Sequence, residues 1–137
     1  MARTILAILV GLITAGAVIA LVELIGIQLY PPPPGLDPTD PDAFARSIAA
    51  MPAGALGFVV LAWAIGSFAG GYVAGRISRL HPFGAALAVG GCLLAAVAAL
   101  LLTQPHPLWM NVLGPIAPIL GSWLAARLAK RKPVAPV

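Results

Sequence analysis

Charged residues are what this sequence has least of. Aspartate, glutamate, lysine and arginine make up 9% of the 137 residues, whereas a soluble domain carries about a quarter. Only four residues are acidic, so the formal net charge is +4. With 61% hydrophobic residues and a mean hydropathy of +1.01, the chain is too apolar to have water as its main solvent. The scarcity of charge therefore excludes an ordinary soluble domain.

The absence of other residues and motifs restricts the functions that this chain can have. A single cysteine, Cys92, excludes an intrachain disulfide and a multi-cysteine metal site. The sequence contains no phosphate-binding loop, no HExxH zinc motif and no nucleophile elbow, so we expect no enzymatic activity, cofactor or metal. The basic residues cluster at the ends of apolar stretches rather than among aromatic side chains, which argues against nucleic acid as a partner.

Four apolar stretches are long enough to cross a bilayer, which takes about 20 helical residues. They cover residues 5–30, 53–75, 82–103 and 107–129. The sequence therefore predicts one all-α membrane domain over residues 1–137, a bundle of four transmembrane helices with a loop at 31–52 and a tail at 130–137. A cleavable signal peptide is an alternative for the first stretch, since Ala15-Gly16-Ala17 resembles a cleavage site. The apolar run continues to Tyr30, however, which is too long for a signal.

The basic residues predict the orientation of this bundle. If the helices alternate in direction, seven of the eight fall on one side of the membrane: Arg3, Arg76, Arg79, Arg127, Lys130, Arg131 and Lys132. The other side has only Arg46, together with Asp37, Asp40 and Asp42. Because positively charged loops stay in the cytoplasm, we expect both termini there. Arg127, Lys130, Arg131 and Lys132 are then placed to contact anionic lipid headgroups.

The long outer loop has its own pattern. Pro31 to Pro34 predict a stiff, extended polyproline segment. Asp40-Pro41-Asp42 is typical of a helix start, with Asp40 as the N-cap and proline at the first helical position. Phe44, Ile48 and Met51 follow at helical spacing, so a short helix with an apolar face is expected on the membrane surface, and Pro52 ends it.

Small residues dominate the second and third spans. Gly66 and Gly70, like Gly71 and Gly75, are spaced four residues apart, which lets helix backbones approach closely. On the third span Gly84, Ala88, Cys92 and Ala96 form a similar face, and we expect it to match the glycines. Two interpretations stay open: packing inside the bundle, or docking onto a second copy or a larger membrane complex.

A weak internal repeat is also present. Gly66-Ser67-Phe68 followed by Arg76 aligns with Gly121-Ser122-Trp123 followed by Arg131. This similarity favours two parallel helix hairpins related by an axis along the membrane normal. Chance similarity between helices rich in small residues is the alternative.

Glu23 is the only charged residue between Thr4 and Tyr30, and an ionisable group at membrane depth is a functional candidate. In the fourth span, Pro115 and Pro118 cannot donate to the carbonyl groups of Asn111 and Gly114, so we expect a kink with free carbonyl oxygens. Glu23 and Asn111 both lie about 9 Å from the midplane if the spans are centred alike. The sequence therefore predicts a polar site formed by Glu23, Asn111 and the kink, with Gln28 near its entrance. A structural hydrogen bond to Glu23 is the alternative.

Several of these motifs occur together in a group of proteins that the chain resembles. Tyr30 to Asp37, Leu61 to Gly70 with Ala74 and Arg76, and His106 to Trp109 are similar to small uncharacterised bacterial four-helix membrane proteins. The resemblance covers nearly the whole chain and implies a multi-pass protein of the bacterial inner membrane. It implies no activity, because none is established for that group.

Two functions are compatible with these features. The first is a structural or accessory membrane component that associates with itself or with a larger complex through its small-residue faces. The alternative is a proton- or cation-coupled transporter of a small solute that uses Glu23 in the membrane.

Overall fold

A computed structural model describes residues 2–31 and 40–129. The helices are α1 (Ala2–Leu29), α2 (Pro41–Ala50), α3 (Ala53–Ile77), α4 (Pro82–Thr103) and α5 (Leu108–Ala129), and the described residues form no strand. This architecture confirms the predicted all-α bundle, with each span within three residues of its predicted bounds. Most of the polyproline segment, Asp37 and the basic residues Lys130, Arg131 and Lys132 lie outside the described residues.

The short helix α2 begins as its sequence predicts. Asp40 Oδ1 accepts a hydrogen bond from the backbone N–H of Asp42 at 3.0 Å, and Pro41 occupies the first helical turn. Arg46 lies 3.7 Å from Asp40 on the exposed face of the helix. The buried side chain of Ile48 packs into the core of the bundle. The helix therefore lies with one face on the end of the bundle.

The four long helices are those of a multi-pass membrane protein. Each is long and apolar enough to span a bilayer, and the 28 residues of α1 extend about 42 Å at 1.5 Å per residue. Large apolar side chains remain exposed around the bundle, among them Ile13, Leu21 and Leu102. Such a surface is unfavourable in water and suits hydrocarbon.

Helix α3 is the centre of the bundle because it packs against α1, α4 and α5. On one side it meets α1 so closely that a Cβ atom added to Gly11 would lie 2.7 Å from the carbonyl oxygen of Gly70. On the other side Gly71 approaches Ala86 of α4 and Ala125 of α5. The four spaced glycines of α3, Gly66, Gly70, Gly71 and Gly75, are therefore covered inside the bundle.

Helix α4 turns a different face inward from the one that its sequence suggests. Ala85, Ala86, Val89 and Gly90 are buried, whereas Gly84, Cys92 and Ala96 are exposed and Ala88 is half-buried. The prediction that the face of Gly84 and Ala88 packs against the glycines of α3 is therefore wrong. The face that packs inward is the next one, rotated by about 100° around the helix axis. Small residues surround most of α4, so their spacing alone does not select the buried face.

The two ends of the bundle differ. At one end, which we call the basal end, the Arg3 side chain donates to the carbonyl oxygen of Ile77 at 3.0 Å, and the Thr4 and Ser78 hydroxyl groups lie 3.2 Å apart. Gly75 packs against Pro82 and Ala129 at this same end. Four helix ends and their basic residues therefore lie together. The opposite end, which we call the α2 end, carries α2.

The aligned serines of the proposed repeat behave alike. Ser67 and Ser122 are both buried, and each donates its hydroxyl proton to the carbonyl oxygen four residues earlier, at Trp63 and Pro118. This similarity is local, and the relation between two hairpins stays a prediction.

Candidate functional site

A cavity of about 300 Å³ lies at the α2 end of the bundle. All five helices contribute to it, together with the connection that precedes α5. Its lining consists of Glu23, Gly26, Ile27, Tyr30, Ile48, Met51, Ala55, Leu56, Phe58, Val59, Leu100, His106 and Met110. The cavity is therefore a junction between elements that are distant in the sequence.

The walls of this cavity are mostly apolar and well packed. Ile48, Leu56 and Met110 belong to a buried cluster that continues inward through Trp63 and Val97. On the α1 side the Tyr30 and Phe58 rings lie 6.1 Å apart between centroids and are tilted by 58°. Such walls exclude bulk water from one side of any group that faces the cavity and strengthen its electrostatic interactions.

Among the described residues, Glu23 is the one carboxylate in the cavity lining. It is half-buried and lies six residues before the end of α1 at Leu29, about 9 Å along the helix axis. Within the described residues its side chain takes part in no hydrogen bond or ion pair. Arg46, the described basic residue at the α2 end, lies beside Asp40 instead. Glu23 therefore faces the cavity without a partner among the described side chains.

His106 is a cavity residue that the sequence did not identify as part of the site. Its Nδ1 lies 2.8 Å from the carbonyl oxygen of Gln104. A carbonyl oxygen only accepts, so Nδ1 carries the proton and donates it. In the neutral ring, Nε2 is then an acceptor. The sequence did contain a clue to this role, because His106 lies two residues before α5 and therefore at the same end of the bundle as Glu23 and Tyr30.

The structure brings Glu23 to the cavity but not the other predicted site residues. Asn111 and Gln28 are exposed, and neither lines the cavity, nor do Pro115 and Pro118. The predicted convergence of Glu23 with Asn111 is therefore absent from this site. Successive helical residues point about 100° apart, so the buried Met110 faces the cavity and its neighbour Asn111 turns away.

The two prolines of α5 lie inside one continuous helix, Leu108–Ala129. Pro118 is buried, and its carbonyl oxygen accepts from Ser122 at 2.7 Å. The kink itself stays a prediction. Gly90 of α4 packs against this same turn of α5, so Pro118 contributes to helix packing rather than to the cavity.

Of the residues predicted to contact lipid headgroups, Arg127 is among the described residues and lies at the basal end. The guanidinium group of Arg127 is 4.1 Å from the centroid of the Trp123 ring, and that of Arg76 is 5.8 Å from the Tyr72 ring. Both arginines are exposed. Stacking on an amphipathic aromatic ring keeps each cation beside the apolar surface while leaving it accessible.

Comparison with known proteins adds no function to this geometry. No protein-family model matches the chain, and no curated protein or solved structure is similar to it.

Proposed function

We propose that this multi-pass protein lies in a bacterial cytoplasmic membrane, with both termini in the cytoplasm, and that it moves a small solute coupled to a proton or cation at Glu23. The observation that carries the proposal is the position of Glu23, a half-buried carboxyl group that opens on an apolar cavity and has no partner among the described residues. Carboxyl groups at membrane depth are typical of ion and substrate pathways.

The coupling follows from the isolation of this carboxyl group. An ionised carboxylate beside apolar walls is unfavourable unless a proton or a cation accompanies it. No described side chain supplies that partner, so a proton and a solute compete for the same oxygen atoms. When the solute replaces the proton at Glu23, or the proton replaces the solute, the movement of one across the membrane is coupled to the movement of the other.

The test uses purified protein in liposomes that enclose a pH-sensitive dye. A panel of small amines, carboxylic acids, alcohols and sodium ions is added outside, and proton movement is recorded. We expect at least one solute to drive proton movement in the wild-type protein, and Glu23→Gln to reduce it to the rate of empty liposomes, because the amide keeps the shape but cannot exchange a proton.

Asp42→Asn is the matched control, since it removes an exposed carboxyl group at the same end outside the cavity. We expect it to keep the wild-type rate. Coupled movement that survives Glu23→Gln, or its absence in the wild-type protein across the panel, contradicts the proposal.

The second candidate function is a structural or accessory component that associates with itself or with a larger membrane complex. The four spaced glycines of α3 (Gly66, Gly70, Gly71 and Gly75) do not support it, because α1, α4 and α5 cover them. The observation that favours it is on α4, where Gly84, Gly91, Cys92 and Ala95 are exposed on the outer surface of the bundle, and nothing approaches within 4 Å of a Cβ atom added to Gly91. Small residues on a lipid-facing surface permit close contact with another helix.

Lipid headgroups are the remaining proposed partners. Arg127 is exposed at the basal end beside Trp123, and Lys130, Arg131 and Lys132 follow it in the sequence. Each cation near an anionic membrane surface contributes about 1 kcal/mol. This cluster supports a general preference for anionic lipid on the cytoplasmic side.

A further inference from the structure

We infer that the cavity at the α2 end binds a compact primary or secondary organic ammonium ion, with its nitrogen at Glu23 and its hydrocarbon part against the apolar walls. This inference rests on the proposed function, in which the cavity takes up a small solute, and it specifies the chemical class of that solute.

The charge of the ligand follows from the titratable groups that face the cavity. These are Glu23 of α1, Tyr30 at the end of α1 and His106 before α5; the lining residues from α2, α3 and α4 carry no titratable group. Among the described lining residues, Glu23 is thus the one carboxyl group. An anionic ligand would add like charge in a poorly solvated site, whereas a cation would neutralise it.

The hydrogen-bonding groups specify what kind of cation fits. An ionised Glu23 accepts only, and the Nε2 atom of a neutral His106 accepts because Nδ1 donates to the carbonyl oxygen of Gln104. A ligand that satisfies both must carry N–H donors, which a protonated amine has and a quaternary ammonium ion lacks. A metal ion is a poorer match, since among the described residues no three His, Cys, Asp or Glu side chains converge.

The size and the walls of the cavity specify the rest of the ligand. A volume of about 300 Å³ is at the lower limit of ligand pockets, which range from about 300 to 1,000 Å³. The walls are mainly aliphatic, with the tilted Tyr30 and Phe58 rings on one side. Aromatic faces attract cations as well as apolar groups. One ring or a short alkyl chain therefore fits, and a multi-ring cation does not.

The competing occupant is a neutral apolar molecule, such as a lipid acyl chain that enters from the bilayer. Such an occupant uses the same apolar walls but gains nothing from Glu23. The two occupants therefore differ in one measurable respect, the dependence of binding on the carboxyl group.

The test is a binding measurement by calorimetry at pH 8, with the full chain in nanodiscs of zwitterionic phosphatidylcholine and empty nanodiscs as the blank. The ligands are 2-phenylethylammonium, its neutral isostere propylbenzene and the anion 3-phenylpropanoate. We expect saturable binding of the ammonium ion only. Glu23→Gln should weaken it about tenfold or more, the usual effect of losing a hydrogen bond to a charged group, and Asp42→Asn should leave it unchanged.

A second variant tests the location without altering the carboxyl group. Ala55 lines the cavity, so Ala55→Phe should fill it and abolish binding of the ammonium ion, with the helical circular dichroism and thermal unfolding of each variant checked beside it. Equal binding of propylbenzene, or unchanged ammonium binding in Glu23→Gln, would overturn the inference in favour of a neutral occupant. Unchanged binding in Ala55→Phe would place the ammonium ion elsewhere and overturn it as well.

The binding measurement involves no gradient across a membrane. If the ammonium ion binds but no solute of the panel drives proton movement in liposomes, the ligand class stands and the transport proposal fails. If another solute drives proton movement through Glu23 and the ammonium ion does not bind, the opposite holds.

Discussion

The carboxyl group of Glu23 can occupy a membrane helix because the rest of that helix compensates for it. Residues 5–30 contain fifteen Ile, Leu and Val residues, which together favour insertion by about 7 kcal/mol at 0.3–0.6 kcal/mol each, whereas one acid costs at most about 2.5–3.5 kcal/mol. Insertion of α1 therefore does not require a partner for Glu23. Its side chain also forms no hydrogen bond or ion pair within the described residues, so neither membrane insertion nor a described contact accounts for an acid at this position.

Gly70 shows how tightly α1 and α3 are packed, and it provides a prediction for stability. A Cβ atom added there would lie 2.7 Å from Ala15 Cβ and 3.2 Å from Ala15 N. We expect Gly70→Ala to destabilise the protein by about 1–3 kcal/mol, as overpacking of a well-packed core does. The measurement is unfolding in mixed micelles with increasing denaturing detergent.

Gly57→Ala is the control on the same helix, because nothing lies within 4 Å of a Cβ atom added there. It should be neutral or stabilising by up to about 1 kcal/mol, since alanine is the better helix residue. Equal loss of stability in both variants would contradict the close α1–α3 contact.

The candidate site was only partly predictable at the level of single residues. Counting along the helices predicted Glu23 and Asn111 at one depth, and the structure has Glu23 and Met110, the neighbour of Asn111, in the lining of one cavity. Which of two neighbours faces inward depends on how α5 is rotated, and the fourth span is apolar on most sides, which leaves that rotation undetermined by the sequence. The structure selects Met110, with 1% of its surface exposed, over Asn111.

Among the elements, the helix boundaries were predictable because they have local causes. Asp40 with Pro41 begins α2 and Pro82 begins α4, through a cap or a fixed backbone angle that needs no distant contact. The buried face of α4 has no such local cause. Ala85, Ala86 and Gly90 face inward, whereas Gly84, Gly91 and Cys92 of similar size face outward. The packing of α4 against α1, α3 and α5 decides between them.

The exposed small-residue face of α4 leads to a prediction about self-association. In a parallel dimer through this face, Cys92 would meet its counterpart, and a disulfide forms when the two Cα atoms lie about 4.4–6.8 Å apart. We expect copper–phenanthroline oxidation of native membranes to yield a covalent dimer through Cys92, or through Ala95→Cys in a Cys92→Ala background. The measurement is a non-reducing gel.

The control places the cysteine on another lipid-facing surface, as Leu21→Cys with Cys92→Ala, because Leu21 is 60% exposed on α1. This variant should stay monomeric under the same oxidation. If neither α4 position crosslinks, or if Leu21→Cys crosslinks as readily, α4 is not a specific contact.

At the scale of the whole molecule, the fold separates two kinds of surface. The basal end gathers the helix ends near Arg3, Ile77, Pro82 and Ala129, tied by the Arg3–Ile77 and Thr4–Ser78 contacts. The α2 end holds the cavity, with Ile48 of α2 and Met51 just after it among its lining. A solute that binds beside Glu23 therefore lies at the end away from Arg3, Arg76, Arg79 and Arg127, and the one described arginine at its own end, Arg46, is paired with Asp40.

The orientation of these two ends in the membrane is the last prediction. The basal end carries Arg3, Arg76, Arg79 and Arg127, whereas Arg46 is the one basic residue at the α2 end within the described residues. Because lysine and arginine near the ends of spans hold a loop in the cytoplasm, we expect a green fluorescent protein fused after Leu80 to fluoresce and an alkaline phosphatase fused there to be inactive. Fusions after His106 should behave in the reverse way.

Replacing both Arg76 and Arg79 by glutamine should reduce the difference between the two fusion sites, since the loop then loses its positive charge. Arg46→Gln should preserve or increase that difference. Active phosphatase after Leu80 together with fluorescence after His106 would invert the orientation, and the Glu23 cavity would then open towards the cytoplasm.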